Sequence, residues 1–284
     1  MKKLMFAAAV VAAAFGLKAE LASANVVGYQ TKKLDAGKFA ILGIQFEGVD
    51  GSLDINKIVT GLIGVNYDES GAFLKTAPHI QVPNAATGGY DLYYYLNDGW
   101  YNDGTDAGAY KAGWCDSFGV IAGPGADVSG EFTSGVAIWA KDVQNSGALQ
   151  QSGQVPNGDE PVEVTAPSIF ALRANAFPIA FNLNDSSKIE FSGIDGVNYD
   201  EAGAFLKTAP HIQVPNATTG GYDLYYYLND GWYNDGTDAG AYKAGWCDSF
   251  GVIAGPDADV SGDVPAGIGF WTKGVGGEFT ITFK

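Results

Sequence analysis

Residues 64–131 read GVNYDESGAFLKTAPHIQVPNAATGGYDLYYYLNDGWYNDGTDAGAYKAGWCDSFGVIAGPGADVSGE, and residues 196–263 repeat this stretch with four differences. The flanking residues 135–141 (GVAIWAK) return in a looser form as residues 267–273 (GIGFWTK). The duplicated unit therefore extends beyond its near-identical centre. It has about 120 residues, which is an ordinary size for a single domain.

The duplication predicts two tandem domains, one for each copy of the repeat. We place repeat 1 at residues 25–150 and repeat 2 at residues 164–284. Residues 151–163 contain QSGQ and PNGDEP, and this Pro-, Gly- and polar-rich composition is typical of an exposed linker.

Short aromatic and β-branched runs predict strands throughout both repeats. Residues 90–96 (YDLYYYL) contain leucine as their only good helix former, and Asn97-Asp98-Gly99 follows as a turn signal. Similar runs recur every 8–12 residues, a spacing typical of sandwiches. We predict a mainly all-β protein with two tandem β-sandwich or jelly-roll-like domains, each with one or two short helices.

The N-terminus has the pattern of an export signal. Lys2 and Lys3 precede an apolar run at residues 4–16, which is too short to span a bilayer. Ala22-Ser23-Ala24 matches a cleavage site, so residues 1–24 are predicted to be a signal peptide. We expect a bacterial protein that is secreted to the cell surface or the medium without a transmembrane anchor.

The charge balance excludes one class of partner. The chain has 16 Lys and Arg against 32 Asp and Glu, a net charge of −16, and Arg173 is its only arginine. Nucleic-acid binding needs basic residues against phosphates, so we predict no nucleic-acid partner. Anionic membrane surfaces are disfavoured for the same reason, whereas cations such as Ca²⁺ are attracted.

Aromatic residues in both repeats predict a stacking surface or an interface. In a strand, Tyr93 and Tyr95 share one face, and Trp100 follows closely. Tyrosine and tryptophan offer an apolar face with a polar edge, which suits sugar rings. The alternative is that these side chains form the core and the contact between domains. The candidate glycan-binding or interface aromatics are Tyr93, Tyr95, Trp100, Tyr225, Tyr227 and Trp232.

Two loops rich in Asn and Asp are candidate calcium sites. Calcium prefers six to eight oxygen ligands, although neither loop has the spacing of an EF-hand. Asx-rich turns without metal have the same composition, so both interpretations stay open. Calcium is the only cofactor for which we find a candidate site. The candidate ligands are Asn102, Asp103, Asp106, Asn234, Asp235 and Asp238.

The two cysteines occupy equivalent positions in the two repeats. Export permits a disulfide between Cys115 and Cys247, within one chain or between chains. Equivalent residues meet within bonding distance only close to a pseudo-two-fold axis. Buried free thiols are the other interpretation.

The sequence contains no catalytic constellation with a specific signature. His79 and His211 are the only histidines, and no Gly-x-Ser-x-Gly nucleophile elbow occurs. Glu69, Asp91 and Asp116 are possible acids for glycoside hydrolysis, but pairings are unspecific in so acidic a chain. We predict that the protein is not an enzyme, with an exported hydrolase as a minor alternative.

Several segments resemble one family of exported proteins. The segments are Asn25–Tyr29, residues 90–100, residues 111–116 (KAGWCD), residues 135–141 and residues 153–155. Together they are similar to secreted tandem β-repeat proteins of verrucomicrobial-type bacteria, a family with no known activity. The resemblance implies export and a duplicated β domain, and it transfers no catalytic residue. Gly28-Tyr29-Gln30 departs from the usual G-Y-V opening.

Matching exteriors on the two repeats predict self-assembly. If repeat 1 packs on repeat 2 head to tail, the same contact recurs between chains and builds fibres or layers. The terminal strands, at residues 26–32 and 279–283, are expected to add edge pairing between chains. We therefore predict a secreted structural protein of a cell-surface or extracellular filament or layer, whose partners are copies of itself. The alternative is a tandem carbohydrate-binding module with a polysaccharide partner.

Overall fold

The computed structural model describes residues 27–284 except 49, 61, 85, 103–107, 124–125, 134, 157, 159, 234–239 and 256–259. The predicted signal peptide at residues 1–24 lies outside the described residues. The described chain is mainly β, with several antiparallel sheets and very little helix, and this confirms the predicted all-β class.

Repeat 1 contains a five-stranded sheet of order β2-β7-β4-β5-β6 and a three-stranded sheet of order β1-β8-β3. Every strand pair in both sheets is antiparallel. The strands are β1 (Val27–Lys33), β2 (Phe39–Gly43), β3 (Val59–Thr60), β4 (His79–Asn84), β5 (Gly89–Tyr101), β6 (Ala109–Cys115), β7 (Ala137–Lys141) and β8 (Ala148–Gln154).

Repeat 2 has the same arrangement, with one additional short pairing. Its sheets have the orders β10-β17-β13-β14-β15, β12-β18-β9 and β11-β16. The strands are β9 (Val162–Ala166), β10 (Ala171–Ala174), β11 (Phe181–Asn182), β12 (Ile189–Ser192), β13 (His211–Pro215), β14 (Tyr222–Tyr233), β15 (Ala241–Cys247), β16 (Asp263–Val264), β17 (Gly269–Lys273) and β18 (Phe279–Phe283).

Each repeat buries a core between its large and its small sheet. In repeat 1, Ile80 and Val82 alternate with more exposed residues along β4, so one face of the large sheet is apolar. They cluster with Trp114 of the large sheet and Leu149 of the small sheet. This sheet-on-sheet packing is the architecture of a β-sandwich.

In the described part of the chain, helical structure consists of single turns whose first N–H groups donate to aspartate carboxylates. Helix α1 (Ile55–Ile58) begins after Asp54, whose carboxylate accepts from the Asn56 N–H. A 3-10 turn at Ala72–Lys75 and helix α2 (Phe205–Thr208) occupy equivalent positions in the two repeats.

The two repeats meet through equivalent strands. The Gly43 N–H donates to the Gly267 carbonyl at 3.0 Å, and the Ala174 N–H donates to the Gly135 carbonyl at 2.9 Å. Since Gly43 and Ala174 hold equivalent places in β2 and β10, these are the same hydrogen bond seen twice. The contact is therefore isologous, with a pseudo-two-fold axis between the repeats.

Apolar side chains fill this pseudo-two-fold contact. Trp139 and Trp271, which are equivalent residues, lie edge to face with their ring centroids 5.8 Å apart. Ala137, Leu172 and Ala174 are buried beside them. An isologous contact uses the same face of both repeats and closes on itself. The head-to-tail contact assumed in the self-assembly argument is not the one that joins the repeats.

Two features of the strands differ from the sequence-based expectation: the bounds of β8 and β9, and the position of β18 in its sheet. Strand β8 continues to Gln154 and β9 begins at Val162, so the predicted linker at residues 151–163 overlaps the ends of both strands. Strand β18 lies between β12 and β9 in the centre of its sheet, so it offers no edge for pairing between chains. Its apolar pattern reflects burial in the sandwich core.

Candidate functional site

The structure buries the tyrosines that were expected to form an open platform. Tyr93 and Tyr225 are only 8% and 6% exposed, and both belong to the sandwich cores. The Tyr93 hydroxyl donates to the Ser129 carbonyl at 2.8 Å. Burial raises the pKa of both phenols to about 12. The prediction of an accessible stacking face on these two residues is wrong.

Tyr95 and Tyr227 are half-buried because they also pack against the sandwich cores. They point from the core face of the large sheets, and their rings lie 5.1 and 5.3 Å from those of Trp114 and Trp246. Both tryptophans are fully buried. These tyrosines therefore extend the core and leave no open ring face.

Trp100 and Trp232 do reach the surface, with 42% and 44% of each residue exposed. Each pairs across the hairpin with a tyrosine: Trp100 with Tyr110, and Trp232 with Tyr242. The paired ring centroids lie 5.5 and 5.6 Å apart at interplanar angles of 61° and 62°. The tyrosines are 67% and 66% exposed. Sequence reasoning missed Tyr110 and Tyr242, which only the hairpin register brings beside the tryptophans.

A third ring supports each tryptophan from one side. Tyr67 lies 6.3 Å from Trp100, and Tyr199 lies 6.4 Å from Trp232, both edge to face. We call Tyr67, Trp100 and Tyr110 aromatic patch 1, and their equivalents, Tyr199, Trp232 and Tyr242, aromatic patch 2.

Backbone contacts hold patch 1 in place. The Trp100 N–H donates to the Gly119 carbonyl at 2.7 Å, and the Ile121 N–H donates to the Trp100 carbonyl at 2.8 Å. Gly119 has a φ of 78°, and a Cβ there would lie 2.7 Å from the Tyr67 ring, so glycine is required. The same hydrogen bonds recur at Trp232, so the two patches share one geometry.

Most candidate calcium ligands lie outside the described residues. These are Asp103, Asp106, Asn234, Asp235 and Asp238. The Asn102 amide is described, and its Nδ2 donates to Asp127 Oδ2 at 3.0 Å. Within the described ranges, no three His, Cys, Asp or Glu side chains are grouped as a metal site requires.

The two cysteines are free thiols rather than a disulfide. Cys115 and Cys247 are fully buried in separate clusters of their own repeats. Burial, helped by nearby aspartates, raises the pKa of both thiols to about 12. Such thiols are poor nucleophiles at neutral pH.

Two of the three acids considered for hydrolysis, Asp91 and Asp116, have structural partners. Asp116 accepts the N–H groups of Phe118 and Val120 at 2.8 and 2.9 Å, which closes a turn. Asp91 accepts both of its hydrogen bonds from Asn84 at 3.0 Å. Both carboxylates thus stabilise loops of the scaffold.

Comparisons with known proteins add no relative. No protein-family model matches the chain, and neither the curated proteins nor the solved structures contain a significant match. None of the helices in the described part of the chain has the length and apolarity needed to cross a bilayer.

Proposed function

We propose that the protein binds an uncharged polysaccharide through aromatic patches 1 and 2. The observation that carries this proposal is the pair of exposed rings, Trp100 with Tyr110 and Trp232 with Tyr242, which have almost the same geometry in both repeats. Half-exposed tryptophan beside an exposed tyrosine combines an apolar face with polar edges, as a sugar ring requires.

The rigidity of each patch also supports a binding role. Hydrogen bonds to Gly119 and Ile121 fix the Trp100 backbone, and the Tyr67 ring packs edge to face against the Trp100 side chain before any ligand binds. A preformed site loses less conformational entropy on binding than a mobile one.

The charge of the chain narrows the class of glycan. A net charge of −16 repels polyanions such as polyuronates and sulfated polysaccharides. A neutral glucan, mannan or chitin chain does not meet this repulsion. Two equivalent patches in one chain also favour a ligand with repeating units, because the second contact is then intramolecular.

The test is affinity electrophoresis and pull-down against a panel of neutral and acidic polysaccharides. We expect Trp100→Ala and Trp232→Ala each to weaken binding about 10-fold, because the avidity of two sites is lost, and the double variant to abolish it. Tyr29→Ala is the matched control, since Tyr29 is 64% exposed but lies on the three-stranded sheet. Undiminished binding by the double variant, or no binding of wild type to any glycan, would overturn the proposal.

A second candidate function is self-assembly of a secreted structural protein at the cell surface. Strand β1 is an edge strand of its sheet, and it exposes Val27 and Tyr29, which are 69% and 64% exposed. Edge strands of this kind pair readily with other chains. Filaments in negative-stain microscopy that Tyr29→Lys removes would support this function. Monomers at high concentration, with and without calcium, would count against it.

A further inference from the structure

A cleft between the two repeats lies apart from the aromatic patches. It has a volume of about 470 Å³, within the usual range for small-molecule sites. One wall is the β4–β5 hairpin of repeat 1, including Pro83 and Tyr90, and the other is the segment of repeat 2 that runs from β9 to β10 and connects two sheets, including Ile169, Phe170 and Arg173.

Arg173 is the chain's only arginine, and it lines this cleft. Its Nε and Nη2 atoms donate to the Thr165 carbonyl, and Nη1 donates to the Leu172 carbonyl. These bonds use three of the five guanidinium N–H groups and anchor the side chain. Among the described carboxylates, none forms an ion pair with Arg173.

A half-buried cation without a counter-ion is unusual in a chain with a net charge of −16. Burial lowers the pKa of the guanidinium, because desolvation disfavours its charged form. An anion in the cleft would offset that cost through charge-assisted hydrogen bonds.

The walls beside Arg173 are mostly apolar, although the Glu163 carboxylate also lines the cleft without forming an ion pair with Arg173. Ile169, Phe170 and Tyr90 are 61%, 45% and 39% exposed, so three large side chains offer surface to a ligand. Covering such side chains is favourable by about 25 cal/mol for each Å² of apolar area removed from water. The occupant that fits both features has one anionic group and an apolar body.

We propose that this cleft binds an alkyl carboxylate of medium chain length, with its carboxylate at Arg173 and its hydrocarbon chain against Ile169, Phe170 and Tyr90. The proposal does not depend on glycan binding, because the cleft and the aromatic patches have no residue in common. A single carboxylate suits a single unpaired guanidinium, and the apolar walls exclude small hydrophilic anions as preferred ligands.

The duplication supplies a matched variant. The residue equivalent to Arg173 in repeat 1 is Leu42, which pairs with Ile138 as Arg173 pairs with Phe270. Leu42 is 1% exposed in the sandwich core. The same position of the fold therefore accepts leucine, so Arg173→Leu is expected to fold.

The experiment is isothermal titration of the full chain with dodecanoate, below its micelle-forming concentration. Dodecan-1-ol and butyrate serve as controls for the carboxylate and for the alkyl chain. We expect saturable binding of one dodecanoate per chain, and at least 10-fold weaker binding of both controls. Arg173→Leu is expected to weaken dodecanoate binding about 10-fold or more, while dodecan-1-ol binding stays unchanged.

A second variant protects the test against misfolding. Ile169→Asp changes a 61% exposed side chain and places a negative charge in the cleft, so it is expected to fold and to weaken dodecanoate binding. Circular dichroism and thermal unfolding check the fold of both variants. The proposal is overturned if wild type shows no saturable binding, if dodecan-1-ol binds as tightly as dodecanoate, or if folded variants bind dodecanoate as wild type does.

Discussion

The two repeats carry the same buried tryptophan in two different surroundings. Trp114 and Trp246 lie in near-identical segments, and both are fully buried. The Trp114 indole N–H donates to the Val59 carbonyl at 2.7 Å. Among the described residues, none accepts a hydrogen bond from Trp246 Nε1, which packs against Phe191 and Phe279 instead. The difference comes from the diverged flanking segments.

One pattern of asparagine hydrogen bonds recurs in both repeats although the flanking segments have diverged. The Asn56 side chain accepts a hydrogen bond from the backbone N–H of Trp114 and donates one to the Ala122 carbonyl. The Asn184 side chain makes the equivalent bonds to the backbone of Trp246 and Ala254. The two asparagines do not occupy aligned positions in the repeats. In both repeats an asparagine side chain therefore pairs with the backbone at the buried tryptophan. The indole N–H, in contrast, has an acceptor in repeat 1 but none among the described residues of repeat 2.

At the pseudo-two-fold axis the two repeats differ in a complementary way. Ala137 faces Gly269, and Ala174 faces Gly43, although each pair holds equivalent positions. A Cβ on Gly269 would lie 2.3 Å from the Ala137 Cβ, and one on Gly43 would lie 2.6 Å from the Ala174 Cβ. The contact has room for one methyl group at each place, so the repeats cannot be identical there.

The largest loss of stability is expected from a substitution that makes the two repeats identical at this contact. Gly269→Ala forces its new methyl group against Ala137, which overpacks the interface and costs about 1–3 kcal/mol of the free energy of unfolding. Urea denaturation measures the loss. The exchange variant Ala137→Gly with Gly269→Ala has one methyl group again and is expected to recover part of the loss, because the new Cβ still lies 2.6 Å from the Ile41 Cγ2 atom. Equal stability of the single and exchange variants would contradict the pseudo-two-fold contact.

A smaller difference in stability is expected between variants of the two buried tryptophans. Trp114→Phe and Trp246→Phe remove the same volume, but the first also leaves the buried Val59 carbonyl without its indole donor. We expect Trp114→Phe to cost about 1–2 kcal/mol more than Trp246→Phe in free energy of unfolding, again from urea denaturation. Equal costs would show that the flanking segments leave the two indoles in equivalent surroundings.

The smallest effect is a pH dependence common to both repeats. Burial lowers the pKa of His79 and His211 below the ordinary value of 6.5, so the unfolded chain binds protons at a higher pH than the folded chain. The free energy of unfolding is therefore highest above pH 6.5 and falls as the pH decreases towards the lowered pKa values.

His79→Gln with His211→Gln tests this dependence by thermal unfolding between pH 5 and 7.5. The aspartates of lowered pKa, such as Asp68 and Asp200, lose their contribution at lower pH and do not interfere. We expect the double variant to flatten the slope around pH 6. An unchanged slope in the double variant would assign it to other groups.

The aromatic side chains show which features of the strands could be predicted from the sequence and which could not. The runs around Tyr93 correctly predicted a strand, and period-two alternation correctly placed Tyr93 and Tyr95 on one face. The expectation of an open ring face was wrong, because both faces of this part of β5 are covered: Tyr93 lies in the sandwich core, and Tyr94 and Leu96 lie in a second buried cluster. Tyr110 was missed since its neighbour Trp100 is set by a bulge between Leu96 and Gly99 that shifts the register.

The amino-acid sequence by itself determined that the chain is a duplicated, strongly acidic and mainly β protein. Duplication, charge and strand periodicity are local properties, and they need no knowledge of distant partners. Only the tertiary structure decided which aromatic rings are exposed to solvent and that the repeats meet about a pseudo-two-fold axis. It also decided that Arg173 lines a cleft and forms no ion pair with the carboxylates that the structure describes. Each of these depends on contacts between residues far apart in the chain, whose burial follows from the packing of sheets and repeats.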